Sequence, residues 1–382
     1  MKAVVAQVIS TFRVGGAETL ALELASRVRR DRFEPIAIAL RRTGEMEPRF
    51  RRAGIETLVL GCAEERGLDL CGLARLAQAL RRRRVKVLHC HNRMATVYGA
   101  PAARLAGVPV IVCTRHAAPT IYRSRGRPTL LERMAIPFVD HFAAVSNEVR
   151  ETAARFGRLP AKRSSVICNG ADLQRFRPAN REKRAGKTAL ICVARLSQEK
   201  RHDVLLAAVR RLLDSGLALE LAVVGDGPMR QALVKQIAEL RLEGAVRLLG
   251  MRDDVAELLQ GADLFVMPSA TEGMPITVIE AMACALPIVA TAVGGFLELV
   301  RDGENGFLVP VGDADALAQA LARLIQDRDL LRRIGAANRR VAEEKFDIAD
   351  TVRNYEELYA RLLQVKGFFK REPCMRQPCE GL

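Results

Sequence analysis

The feature that most restricts the fold of this chain is a rhythm in its hydrophobicity. Short apolar runs alternate with longer amphipathic stretches almost from end to end. Runs at 4–9, 35–40, 56–60, 85–89, 108–114 and 142–145 are largely continuous, as in strands buried on both faces. Between them, stretches at 18–30, 71–83, 94–106 and 147–156 carry apolar residues at helical spacing, and several end in basic residues where the helix dipole favours them. Such a succession folds as a parallel sheet covered by helices on both sides. A polar segment at 169–187, with Gly170, Pro178 and Gly186, interrupts the rhythm and is read as a hinge. A second series follows, with strands at 188–193, 219–224, 246–249, 264–267, 287–291 and 306–310 and helices at 200–214, 229–240, 276–284 and 313–327. The chain therefore reads as α/β: two Rossmann-like doubly wound domains, residues 1–175 and 185–346, facing a cleft at the carboxyl ends of their strands. A helix at 347–363 comes too late for the second sheet, and residues 366–382, with Cys374 and Cys379, read as a flexible tail.

Composition narrows the function. A length of 382 residues exceeds what one core usually serves, and 49% hydrophobic with 27% charged residues excludes disordered and coiled-coil classes. Aromatics are 4% with no Trp, so neither a base-stacking platform nor a tryptophan-lined sugar cleft is on offer. Nine cysteines are scattered singly, which suggests thiols in a reducing compartment rather than disulfides or a zinc site. The apolar run at 3–9 is too short for a signal-peptide core and reads as a first buried strand, and no window approaches a membrane span. The net charge of +16 is unevenly placed: residues 1–185 hold 35 Lys and Arg against 16 Asp and Glu, a net of +19, and residues 186–382 hold 25 against 28, a net of −3. Arg41, Arg42, Arg49, Arg51 and Arg52 form one basic cluster and Arg81, Arg82, Arg83 and Arg84 another. Nucleic acid is an obvious partner for such charge, but no helix-turn-helix, RNP or finger pattern accompanies it. An anionic lipid surface or a phosphate-bearing acceptor fits, and so does a set of solvated helix faces.

Four loops carry chemistry. Gly15 and Gly16 follow the first strand and open the first helix, where backbone N–H groups can approach a phosphate; Glu18 beside them also suits the helix dipole. Arg195 and Lys200, five residues apart across one strand-to-helix loop, can converge on a diphosphate, or can be ordinary helix-flanking charges. Gly225-Asp226-Gly227-Pro228 needs only to be a tight turn. The most specific stretch is 269–283, where a loop presents Glu272 and a helix starts near Ile276, with Thr277 free to offer its N–H and Glu280 about one turn in. Two acids beside a phosphate site are costly unless they bind something, such as sugar hydroxyls. His89 and His91 follow the fourth strand and either line the cleft or, as the favoured reading, are hydrogen-bonded structural histidines; His141 and His202 are read as structural. No DxD triplet ends a strand, and Asp253-Asp254 reads as a dipole complement at a helix start, so no metal is expected.

Glu272 followed by Glu280 and EAMA, with Gly15-Gly16-Ala17-Glu18, VARL…EK, GDGP, Leu249-Gly250 and NGFLV in order, resembles the signature of the retaining nucleotide-sugar glycosyltransferases of the GT-B class, family 4. The resemblance covers roughly residues 3–363. It implies that Arg195 and Lys200 neutralise the donor diphosphate and that Glu280 holds the ribose. It gives Glu272, with the backbone of Gly273 and Met274, the transferred sugar. Backbone at Met251 and Arg252 would meet the nucleobase, Gly15 and Gly16 would close over the diphosphate, and His116 would stand beside the donor sugar on the acceptor side. Met274-Pro275 departs from the commoner EGFG form, and Pro275 removes one N–H donor. The implied enzyme moves a sugar, UDP-linked, to a hydroxyl on a lipid-linked or cell-surface glycan, with no cofactor or metal, and its 347–365 helix crosses back to the first domain. A cytoplasmic protein, peripheral on the inner membrane face, is the implied setting. The rivals are a nucleotide-sugar epimerase of the same fold and, from another class, a nucleic-acid-binding protein.

Overall fold

A computed structural model describes residues 2–63, 69–117, 129–157, 159–179 and 186–369. The tail cysteines Cys374 and Cys379 lie outside the described residues, as does part of the expected hinge.

In chain order the first half comprises β1 (Ala3–Ile9), α1 (Gly16–Arg27), β2 (Phe33–Ala39), α2 (Glu47–Arg52), β3 (Glu56–Val59), α3 (Leu70–Arg82), β4 (Val87–His91), α4 (Asn92–Ala106), β5 (Val110–Arg115), α5 (Leu130–Ala135), β6 (His141–Ala144), α6 (Asn147–Gly157) and β7 (Ser164–Val166). The strands pair in parallel in the order β3-β2-β1-β4-β5-β6-β7. Both faces of the sheet are covered: Val8, Leu88, Ile111 and Phe142 join one buried cluster, and Val5, Val87, Val110 and Val112 join another. Gln7 sits fully buried in the middle of β1, so the first strand is not the unbroken apolar run it resembles by composition.

The second half comprises β8 (Thr188–Val193), α7 (His202–Asp214), β9 (Leu219–Val224), α8 (Arg230–Glu239), β10 (Val246–Gly250), α9 (Val255–Gly261), β11 (Leu264–Met267), α10 (Ile276–Ala283), β12 (Ile288–Thr291), α11 (Phe296–Leu299), β13 (Gly306–Val309), α12 (Ala314–Gln326), α13 (Arg328–Lys345) and α14 (Ile348–Val365). Its sheet runs β10-β9-β8-β11-β12-β13. In both sheets the winding reverses direction between the first and fourth strands, β1 and β4 in one, β8 and β11 in the other. That reversal opens a crevice at the strands' carboxyl ends, where α/β proteins bind ligands.

One helix start needs correction, and one helix was not expected. Lys200 does not open α7: Gln198–Lys200 form one 3-10 turn, Arg201 adopts a left-handed conformation (φ 49°), and the helix begins at His202. Asp253 and Asp254 stand at the start of α9, where the sequence placed them: Asp254 is its N-cap residue, without a side-chain cap bond, and pairs with Arg252, while Asp253 pairs with Arg49 of the first domain. Helix α13 went unread because its sequence is dominated by charge, yet it buries Leu330, Leu331 and Ile334. Asp327 fixes its start by accepting from the Leu330 N–H at 2.9 Å.

Helix α14 packs on the first domain, although it follows the second in sequence. Asp347 caps its start, and Ala171 pairs with Asp347 so closely that a Cβ on Gly170 would meet the Ile348 nitrogen at 2.7 Å. Tyr355 and Tyr359 are fully buried among Val87, Val110 and Val112, and the Tyr355 hydroxyl lies 2.9 Å from Thr114 Oγ1.

Candidate active site

The second domain contributes two loops from its switch point. The loop after β8 carries Arg195, which is exposed, and Lys200, whose Nζ lies 2.5 Å from Glu272 Oε1 in the loop after β11. Lys200 and Glu272 are thus one largely buried ion pair, while the Arg195 side chain is exposed. Backbone ties hold the loops in register: Ala270 N–H donates to the Glu199 carbonyl at 2.7 Å, and Thr291 Oγ1 donates to the Ser269 carbonyl. The GDGP turn braces the Arg195 loop from beneath. At Gly225 (φ 130°) a Cβ would stand 2.1 Å from the Ala194 carbonyl oxygen, so this turn requires glycine.

Helix α10 begins at Ile276 behind the extended Pro275, and Ile276 and Thr277 are half-buried at its open N-terminus. Among the described residues no side chain hydrogen-bonds to Glu280, one turn in, and burial lifts its carboxyl from 4.5 to about 7 against the opposing pull of Arg175. A carboxyl held in this way gains from any ligand that brings hydroxyl donors. Met251 and Arg252 are exposed beyond β10, with Arg252 bound to Asp254 at 2.7 Å.

From the first domain, Gly15 forms the N-cap of α1 and Gly16 its first residue. The Glu18 carboxyl curls back over Gly15, where a Cβ would meet it at 2.5 Å, and its burial raises it to about 7. His116 follows β5. Its Nε2 lies 3.0 Å from His91 Nδ1, and His91 Nε2 lies 2.8 Å from Gln7 Oε1. His89 is held separately, between the Tyr359 hydroxyl and Thr114 Oγ1 at 2.6 Å each. Burial depresses His89 and His116 to about 3 and His91 well below its ordinary value, so all three rings are neutral near pH 7. His89 is therefore structural, as expected, and so are His141, bound to Ser165, and His202, set against Cys192. His91 is buried and hydrogen-bonded, and its Nδ1 partner is His116.

The two halves meet at these loops. A Cβ on Gly273 would lie 2.0 Å from the His116 carbonyl oxygen, so the Glu272-Gly273 loop backbone rests on the backbone of His116. Asn169 Nδ2 donates to the Met274 carbonyl at 2.8 Å, and Glu298 of α11 accepts from the Asn147 and Glu148 N–H groups at 3.2 and 3.1 Å, capping α6 across the interface. Sequence reasoning missed Asn169, Glu298 and Gln7. Only Gln7 left a signal, a polar residue within a buried strand.

Two Rossmann-like sheets facing one another across their carboxyl ends, with charged loops at both switch points, define the GT-B class of glycosyltransferases. The family model for Glycosyltransferase Family 4 matches residues 14–175, and that for Glycosyl transferases group 1 matches residues 174–341. The chain belongs to this glycosyltransferase family. It is 29% identical to the Escherichia coli UDP-Gal:alpha-D-GlcNAc-diphosphoundecaprenol alpha-1,3-galactosyltransferase, over 76% of this chain and 79% of that protein. It is 28% identical to the Bacillus anthracis N-acetyl-alpha-D-glucosaminyl L-malate synthase, over 78% and 80%. The fold matches Anabaena HepE, solved in complex with UDP-glucose, with a TM-score of 0.83 at 23% identity, over 94% of this chain and 99% of that one. Among the described residues, no helix is long and apolar enough to cross a membrane.

Proposed function

We propose that this glycosyltransferase moves a sugar from a UDP-sugar to a hydroxyl of a lipid-linked or cell-surface glycan, with retention of anomeric configuration and without a metal. The observation that carries the reading is the meeting of the Glu272-Gly273 loop, which holds the Lys200–Glu272 pair, with the backbone of His116 between the sheets. In this reading the diphosphate displaces Glu272 from Lys200. Lys200 and Arg195 then neutralise the leaving charge, and the freed Glu272 accepts from sugar hydroxyls. The N-terminus of α10 faces the phosphates, Glu280 holds the ribose, and backbone at Met251 and Arg252 borders the base. Gly15 and Gly16 close from the other side. No side-chain nucleophile is needed: the bond breaks through an oxocarbenium-like state, and the departing diphosphate takes the acceptor proton. The E. coli and Anabaena relatives, named for UDP-galactose and solved with UDP-glucose, support the choice of nucleotide.

The basic excess of residues 1–185 supports work at an anionic membrane surface. So does a run of exposed apolar side chains, Leu130 (71%), Met134 (61%) and Phe138 (40%), with Leu105 (61%) nearby and Arg104 bonded to the Phe138 carbonyl. The test is a thermal-shift panel of nucleotide sugars, followed by NMR of the first-formed anomer. Stabilisation by UDP-sugars, a retained anomer and activity in excess EDTA are expected. Rapid isomerisation of UDP-N-acetylglucosamine without acceptor identifies an epimerase instead, and loss of activity restored by magnesium overturns metal independence.

A further inference from the structure

We infer that Gln7, acting through His91, fixes the tautomer of His116, so that His116 meets the substrate as a hydrogen-bond acceptor at Nδ1. The inference takes the transfer site proposed above as given, and concerns which way its imidazole is set.

With the Gln7 amide oxygen turned toward His91, the chain of bonds allows one proton order. Gln7 is fully buried in β1 and presents Oε1 at 2.8 Å from His91 Nε2. An amide oxygen only accepts, so His91 carries its proton on Nε2. Burial keeps the His91 ring neutral, which leaves Nδ1 bare as an acceptor. Its partner at 3.0 Å, His116 Nε2, must then be the donor. The His116 ring is neutral too, so its remaining nitrogen, Nδ1, holds a lone pair. A substrate hydroxyl can donate to it, whereas a phosphate or carbonyl oxygen cannot bind there.

The placement of the three residues explains why the setting is rigid. Gln7, His91 and His116 stand on or just after the neighbouring strands β1, β4 and β5, whose pairing positions them without any loop. The Asn92 side chain accepts from the His116 N–H at 3.3 Å, and the His91 and His89 rings stack with centroids 4.2 Å apart. His89 is itself held at both nitrogens, so the whole layer has little freedom to turn. Among the described residues no hydrogen bond joins the Gln7 or His91 side chain to the loops after β8 and β11; they are positioning residues.

Imidazole 15N NMR on histidine-labelled protein reads the tautomer directly, and the chain has only five histidines. The wild-type protein should show neutral His91 and His116 rings, each with its proton on Nε2. Gln7→Met should remove the Nε2–H tautomer preference at both rings. It should also lower kcat on the order of tenfold, the scale of one hydrogen bond, while UDP affinity is unchanged. Gln7→Glu, which keeps an acceptor oxygen at that place, should restore the tautomer. A wild-type His116 protonated on Nδ1 overturns the proposal even if the Gln7→Met protein does not fold, and so does a folded Gln7→Met protein with unaltered tautomers. Failure of UDP-sugar binding would refute the functional reading instead and leave the tautomer result standing.

Discussion

Glu280 shows how much a single side chain in this site depends on its surroundings. Its folded value of about 7 lies above the ordinary 4.5, so the folded protein holds the proton more tightly than the unfolded chain. The resulting stability is fully present below about pH 4.5 and is lost as pH rises through about 7; Glu18 adds a change of the same sign. Glu280→Gln should therefore gain in Tm relative to wild type between about pH 5 and pH 8. Near pH 6.5, UDP binding should release more protons from the wild type than from Glu280→Gln, because ribose hydroxyls favour the ionised form of Glu280. Calorimetry in buffers of differing ionisation enthalpy checks this, and equal release by both proteins would remove Glu280 from the ribose. At the diphosphate, Arg195→Ala and Lys200→Ala should each lower turnover by roughly 10²–10³-fold, as expected for one preorganised charge-stabilising donor. A folded variant with wild-type turnover at saturating donor would void that role.

Among the elements, the loops and the last helix matter more than the sheets. Gly273 has no room for a methyl group against the His116 carbonyl, and backbone on both sides cannot yield cheaply. Gly273→Ala should cost the closed arrangement about 1–3 kcal/mol, the scale of overpacking, and lower kcat/KM about tenfold or more with unchanged circular dichroism. Unimpaired kcat/KM would show that this contact is dispensable to the reaction. Helix α14 is tied to the first domain by polar as well as apolar contacts. Tyr359→Phe leaves His89 Nδ1 without its buried partner, so the urea midpoint should fall by the equivalent of about 1–3 kcal/mol. An unshifted midpoint would mean that the bond contributes nothing net.

Across the whole molecule the charge is divided between the domains, +19 in residues 1–185 and −3 in the rest. Exposed Leu130, Met134 and Phe138 lie on the basic half. Cations near an anionic bilayer contribute about 1 kcal/mol each, so the protein should float with liposomes containing anionic lipid at low salt, leave them at high salt, and ignore neutral ones. Absence from the anionic fraction at low salt would end the membrane reading and leave the transferase assignment untouched.

The sequence by itself determined the architecture, because continuous apolar runs between amphipathic helices have few ways to be buried other than a doubly wound sheet, and the polar break at 169–187 divides two such series. It also marked the loops that bear Gly15, Arg195, Glu272 and Glu280, since glycine turns and paired acids at strand ends are local features. The charge-rich helix α13 escaped it, because apolar residues spaced among so many arginines show a face only once Leu330, Leu331 and Ile334 have a neighbour to bury them. Tertiary structure alone decided what the site residues meet. Lys200 and Glu272 are 72 residues apart, Gln7 and His91 are 84, and His89 and Tyr359 are 270, separations over which spacing carries no information. Parallel pairing of distant strands brings those groups within hydrogen-bond reach, and burial there shifts their protonation; neither effect exists before the chain has folded.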